Sequence, residues 1–266
     1  MSSRMPPAVA DGLVVGWRNL KRVPRIPELA IFAILQSIMF VLLFAVVFGG
    51  AIPLPGGGSY REYLMPGIFV QTLAFASITT AIGMADDMSK GLIDRFRSLP
   101  MARSAVLSGR TTSDVVYNSG LLLVLMVTGF AVGWRIRGSL GDTVLAIALL
   151  LLFAYTMSWI GVLLGLLVPT VEVVQQLGFL VIFPITFLSN AFVPTATLPA
   201  ALQPIAEWNP VSTLTQSTRQ LFGNPNPTVV SSFPGEHPIE VSLLWIVGLL
   251  VVFAPLAVRR YRSIDR

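Results

Sequence analysis

Between Leu29 and Phe48 the chain reads LAIFAILQSIMFVLLFAVVF, twenty residues without a charge. At about 1.5 Å per residue a helix of that length reaches roughly 30 Å, the thickness of a bilayer's hydrocarbon core. The run exceeds the roughly 7 to 15 apolar residues of a signal peptide, and no small-residue cleavage site follows it, so it is expected to be retained as a first span. Composition extends the inference. Hydrophobic residues make up 54% of the chain and charged residues 12%, against roughly 25% charged in soluble domains. The function of such a chain is written in where its few charges stand, because in lipid each must sit at an interface, line a pathway or meet a partner.

Five further apolar segments follow, at 64–85, 115–134, 143–168, 173–193 and 241–258. They predict an all-α integral membrane protein with six transmembrane helices. The fourth and fifth are separated only by Pro169, Thr170, Val171 and Glu172, a turn that suits antiparallel neighbours. The implied organisation is a cytoplasmic segment over 1–28, a transmembrane domain over 29–258 and a basic tail over 259–266. Fourteen of the eighteen Lys and Arg residues fall in the N-terminal segment, the loop 86–111 and the tail. Lys and Arg in short loops mark the inner face, so both termini are expected to be cytoplasmic. The net charge of +5 belongs to this bias and not to a nucleic-acid footprint, which would gather cations on one soluble face.

Aromatic residues agree with the assignment: Tyr60, Tyr63, Trp134 and Trp245 stand at the expected outer boundary, Trp17 and Tyr261 at the inner one. Trp159 lies deep in the fourth span and is assigned to packing. Gly161 and Gly165 form a GxxxG step that allows close helix approach.

Three segments lie outside the spans. From Ala8 to Arg22, the residues Val9, Leu13, Trp17 and Leu20 share one helical face, with Arg18, Lys21 and Arg22 displaced from it. This predicts an amphipathic helix along the inner leaflet. In the loop 86–111, Leu92, Phe96 and Leu99 share a face of a short helix preceded by Gly91 and ended by Pro100, with Asp94, Arg95 and Arg97 pointing elsewhere. Such a face fits either a groove on a partner protein or the inner leaflet. In the external region 194–240, Thr197 and Pro199 predict a short helix to Ala206, and Asn209 with Pro210 a second from Val211 to Phe222, stopped by Gly223. Leu198, Leu202, Ile205, Trp208, Leu214 and Leu221 suggest that both dip into the outer leaflet as re-entrant helices.

Two stretches, SKGLIDRFRSLPMARSAVLSGR from Ser89 and LPAALQPIAEWNPVSTLTQSTRQL from Leu198, resemble the cytoplasmic coupling segment and the external re-entrant pair of type 2 ABC exporter membrane subunits, in particular the daunorubicin-resistance type of drug and lipid export permease. The resemblance covers nearly the whole chain. It implies that Gly91, Leu92, Asp94, Arg95, Phe96, Arg97, Ser98, Leu99 and Pro100 contact a nucleotide-binding subunit, which favours docking over the leaflet. It also implies that the N-terminal helix is a connecting helix. The run Asp86-Asp87-Met88-Ser89-Lys90 departs from the Glu-Arg-rich stretch that many relatives carry there.

No GxxxxGK[ST] phosphate loop occurs in the sequence, so ATP and magnesium are expected to be used by a separate ATPase subunit in two copies, with no cofactor held by this chain. A second permease copy, identical or related, would complete the path. Its contents are expected to be amphiphilic, because the spans offer an apolar route with neutral polar groups at Gln71, Thr72, Ser77, Thr80, Asn118, Thr186, Ser189 and Asn190. Most of these can equally bond neighbouring helices. A bacterial plasma membrane is the expected location.

Two rivals were weighed. An ion-coupled transporter keeps carboxylates or His near mid-membrane, whereas here Asp114 and Glu172 fall at expected cytoplasmic ends, where water solvates them. An intramembrane enzyme needs a nucleophile with a base, or paired acids. The one histidine, His237, reads as a solvated external loop residue, and the absence of cysteine removes thiolate and cysteine-metal chemistry.

Overall fold

The structure is a computed structural model that describes residues 27–47, 54, 57–91, 103–168, 170–226 and 232–263, with the backbone alone for 27–34, 46–47 and 103–106. The amphipathic N-terminal segment, the helix expected over 92–100 and the end of the basic tail lie outside the described residues.

The described residues form helices and no strand. In chain order they are α1 (Pro27–Leu42), continued by a π-helical turn (Leu43–Val47), α2 (Tyr60–Ser89), α3 (Arg103–Ala131), α4 (Leu140–Leu167) and α5 (Val171–Phe187), then α6 (Gln203–Trp208), α7 (Pro210–Phe222), α8 (Phe233–Glu236) and α9 (Pro238–Ser263). Among them α2, α3, α4 and α9 are long and apolar enough to cross a membrane, and α1 and α5 are shorter apolar helices. At 17 residues, α5 is about 26 Å long.

Local sequence explains where the helices start and stop. Ser139 opens α4 with a reciprocal capping box: the Asp142 amide donates to Ser139 Oγ at 3.1 Å, and the Ser139 amide donates back to Asp142 Oδ2 at 3.3 Å. Thr170 opens α5 by accepting from the Val173 amide, so only three residues, 168–170, separate α4 from α5. Gly91 ends α2 with φ +64°, its amide donating to the Met88 carbonyl. Only glycine adopts that conformation without strain.

Helix α2 is the centre of the bundle. It packs along α4, and α5 and α7 cover further faces, leaving Leu64, Met65, Ile68, Phe69, Val70 and Leu73 without solvent contact. The closeness of α4 depends on its glycines. A Cβ on Gly165 would stand 2.5 Å from the Ala81 carbonyl oxygen, and one on Gly161 would run into the Ser77 carbonyl. These are backbone atoms that cannot rotate away, so the GxxxG step is an α2–α4 contact within the chain. Trp159 packs as expected, edge-on to Tyr155 at 6.2 Å and 6% exposed.

Three expectations need correction. Tyr60, Tyr63 and Trp134 are buried inside the protein, so they do not form a lipid-facing belt, and Tyr261 is likewise enclosed. The first external helix is shifted: 195–197 is a single 3₁₀ turn, and the α-helix runs over Gln203–Trp208. The second matches its expected limits, but it is covered by protein on nearly all sides, with Leu214 and Leu221 buried. Ile205 and Trp208 of α6, and Leu202 just before it, remain open.

Candidate functional site

A cavity of about 420 Å³ lies between α1, α2, α3 and α5. Its lining combines amide or hydroxyl groups (Gln36, Ser37, Gln71, Thr72, Thr79, Tyr117 and Gln175) with the rings of Phe40, Phe75, Phe179, Phe183 and Phe187. On α2 it runs from Gln71 to Ile82, about 16 Å of helix. A mostly apolar, aromatic wall with a few fixed polar groups suits a neutral or amphiphilic organic molecule. Phe179 and Phe183 also line an open groove of about 750 Å³ on the outer face of α5 with Glu172, Gln175, Gln176, Leu180 and Pro184.

Of the eight neutral polar residues picked from sequence, Gln71 and Thr72 line this cavity. Four of the others, Ser77, Thr80, Thr186 and Ser189, bond within the fold. Ser77 donates to the Ala74 carbonyl, Thr186 to the Ile182 and Phe183 carbonyls, and Ser189 to the Thr186 carbonyl. Thr80 donates to Asp114 Oδ2 at 2.8 Å. The Asn190 main chain is a bonding hub, described below, and Asn118 is 2% exposed on α3 without lining the cavity.

Beyond one end of the cavity a charged cluster ties the C-terminal half of α2 to the N-terminal half of α3. Arg110 Nη1 donates to Asp87 Oδ2 at 2.8 Å, with side-chain exposures of 13% and 9%. Asp114, one turn beyond Arg110 on α3, feels the same guanidinium and accepts a hydrogen bond from the Thr80 hydroxyl. Gly83 provides the room: any Cβ there would collide with Arg110 Nη2. Asp114 is therefore a half-buried member of a helix-joining network, and not the solvated interfacial residue expected. The expectation failed because α3 begins at Arg103, which puts Asp114 well inside a helix. His237 matches its expectation, 48% exposed beside Glu240.

At the other end, residues 188–194 leave α5 as an irregular loop whose carbonyls are held from three directions. Tyr63 Oη donates to the Asn190 carbonyl at 2.8 Å and Tyr60 Oη to the Phe192 carbonyl at 2.9 Å. Arg219 of α7, 1% exposed, donates from Nε to the Tyr63 carbonyl at 2.8 Å. Its Nη2 donates to the Asn190 and Ala191 carbonyls at 2.8 and 3.1 Å. Its Cζ stands 3.5 Å from the centroid of the Tyr63 ring. The carbonyl dipoles beyond the C-terminal end of α5 and the ring's negative face supply the partial negative charge that a buried cation requires.

Asn209 completes the arrangement. Its Oδ1 accepts from the Val211 amide to open α7, and its Nδ2 donates to the Ile185 and Leu188 carbonyls that α5 leaves unpaired. Nearby, Arg137 Nη2 donates to Glu62 Oε1 at 2.7 Å. That hydrogen bond and the carboxylate charge raise the already high pKa of Arg137 further. Counting Arg219 only as an external cation hid this role. The available signal was its isolation, as the single charge in a helix otherwise built of Ser, Thr, Gln and apolar residues.

The fold defines a helical, multi-pass membrane protein with an aromatic-walled cavity between its helices. Known proteins narrow the class. The family model described as ABC-2 type transporter matches residues 12–222. The daunorubicin resistance ABC transporter permease protein DrrB1 of Streptomyces coeruleorubidus is 31% identical over 256 residues, covering 96% of this chain and 87% of that protein. The probable doxorubicin resistance ABC transporter permease protein DrrC of Mycobacterium tuberculosis is 27% identical, covering 96% and 90%. The inner membrane transport permease YadH of Escherichia coli is 22% identical over 223 residues, covering 83% and 80%. The chain belongs to the ABC-2 type transporter family, as a transmembrane ABC transporter permease.

Proposed function

We propose that this chain is the membrane-spanning half of an ATP-driven exporter that moves an amphiphilic drug, lipid or glycolipid out of a bacterial cell across the plasma membrane. The observation that carries this reading is the cavity between α1, α2, α3 and α5, which unites aromatic walls with a few amides on the helices that flank the segment 92–102. The names of the two resistance permeases support a planar, aromatic, amphiphilic cargo.

In this reading six spans cross the membrane with both termini inside, α6 and α7 re-enter from outside, and two copies face each other. Two ATPase subunits bind ATP and magnesium and dock on Gly91 to Pro100. Their closure moves that segment. The Asp87–Arg110 pair makes the inner ends of α2 and α3 respond together, so the displacement reaches the cavity as a rigid-body shift instead of dissipating in two independent helices.

The direct test is purification in mild detergent. A stoichiometric ATPase subunit is expected to accompany the chain, and ATP hydrolysis to require that subunit. Robust hydrolysis by the chain alone would overturn the proposal. Orientation is tested in intact cells: single cysteines at Ser263→Cys and Ser89→Cys are expected to resist an impermeant thiol reagent and Ser231→Cys to react. The reverse pattern would invert the topology.

A further inference from the structure

We infer that residues 188–194 form the outer gate of the cavity, with Phe192 as its plug and Arg219 as the residue that holds it shut. The inference rests on the reading of the cavity as the transport path and adds a device that neither the family nor the relatives' names assign to this chain.

Phe40 and Phe187 are the cavity's ring-bearing residues closest to the end where α5 stops. Phe192 sits against both, at centroid distances of 5.9 and 5.2 Å, and against Phe44 at 4.8 Å. It is 5% exposed. The path upward from Gln71 and Thr72 therefore meets a four-ring cluster whose centre is carried by an irregular segment and not by a helix.

Aromatic contact alone would hold such a segment loosely. Here three consecutive carbonyls, of Asn190, Ala191 and Phe192, are taken by Tyr63, Arg219 and Tyr60. The cluster is assembled from two other elements, α2 and α7. Gly67 lets α2 approach, since a Cβ there would enter the Ala191 carbonyl. A guanidinium held by carbonyls and a ring, with no carboxylate bonded to it among the described residues, has a property that suits a gate. Its bonds are short and geometrically demanding when the loop is seated, yet no buried carboxylate is stranded when it leaves. Opening would separate α7 from α2 and the loop, withdrawing Phe192 from Phe40 and Phe187.

The cysteine-free sequence permits a direct test that does not depend on knowing the cargo. Thr72→Cys places one thiol on the cavity wall, and the probe is the impermeant reagent 2-(trimethylammonium)ethyl methanethiosulfonate. It is applied outside in intact cells and to the cytoplasmic face in everted vesicles, with the chain and its co-expressed partner subunit. With the gate intact, modification is expected from the cytoplasmic face and to be slow from outside. Adding Phe192→Ala or Arg219→Gln is expected to speed external modification at least tenfold. Arg219→Lys, which keeps the charge but loses the fork, should fall between.

A purely structural Arg219 would change the amount of protein without changing the labelling rate of what remains. If Arg219→Gln does not accumulate, Phe192→Ala and Tyr60→Phe carry the test. External rates unchanged in these variants, with cytoplasmic access intact, would overturn the gate and leave the cavity standing. Rapid external modification with the gate intact would also overturn it. A thiol unreactive from both sides in every variant would overturn the transport path and the gate together.

Discussion

Arg110→Ala is expected to lower the stability of the folded protein by about 3–5 kcal/mol, the usual cost of removing one partner from a buried ion pair. Two carboxylates make it severe. Asp87 loses its 2.8 Å partner, and Asp114 loses the guanidinium that offsets its own burial and keeps the Thr80 hydroxyl as a donor. The apparent melting temperature in detergent should fall on the order of 10 °C. Asp87→Asn strands only the cation, which still has Asp114 nearby, and should cost less. The double variant Arg110→Gln with Asp87→Asn should cost less than the two single changes added together, because they remove one shared interaction. A single Arg110→Ala variant that melts like the parent would show that the cluster does not join α2 to α3.

Phe96→Ala is expected to abolish coupling without disturbing the membrane domain. The sequence after Gly91 spaces Leu92, Phe96 and Leu99 at a helical interval, and Phe96 is the largest of the three side chains. Truncating a central aromatic anchor commonly costs about 2 kcal/mol or more of binding, roughly a thirtyfold loss of partner affinity. Arg95→Glu, beside that face, should act differently: slower association that depends strongly on salt. Both variants should insert and accumulate normally. Co-purification of the ATPase subunit, and its stimulated hydrolysis, are the readouts. Full retention of both by Phe96→Ala would reduce the segment to a surface helix.

The contrast between these two residues shows what the sequence makes legible. Hydropathy announces α2, α3, α4 and α9 directly, because each carries a long apolar run; it also marks the ends of α7, because Asn209, Pro210 and Gly223 act within a turn of themselves. It does not show that α2 is enclosed by other helices while α9 leaves Leu244, Val247 and Val251 open. Lipid and protein interior select the same apolar side chains. Tyr60, Tyr63 and Trp134 were misplaced for that reason: interfacial and buried aromatics look alike until the tertiary partner is known.

Charge was harder still. Asp87, Arg110 and Asp114 come together because α2 and α3 run back past each other, and Arg219 finds Tyr63 from 156 positions away. No local pattern encodes such meetings. Several of the neutral polar residues bond within their own helices for a simpler reason. A hydroxyl in an apolar helix satisfies itself on the carbonyl three or four residues back, as Ser77 and Thr186 do. Of the eight residues singled out in the sequence, Gln71 and Thr72 line the cavity.

The central claim is that ATP hydrolysed on a partner subunit drives cargo through the cavity of this chain. The most direct measurement is ATP-dependent accumulation of doxorubicin in everted vesicles containing the chain and its co-expressed partner, followed by fluorescence, with Phe75→Ala/Phe179→Ala as the cavity variant. Uptake is expected to require ATP and the partner. The cavity variant is expected to lose most of this uptake while keeping the partner bound and hydrolysing ATP. Uptake that proceeds without ATP, or that is unchanged when both cavity rings are removed, would contradict it.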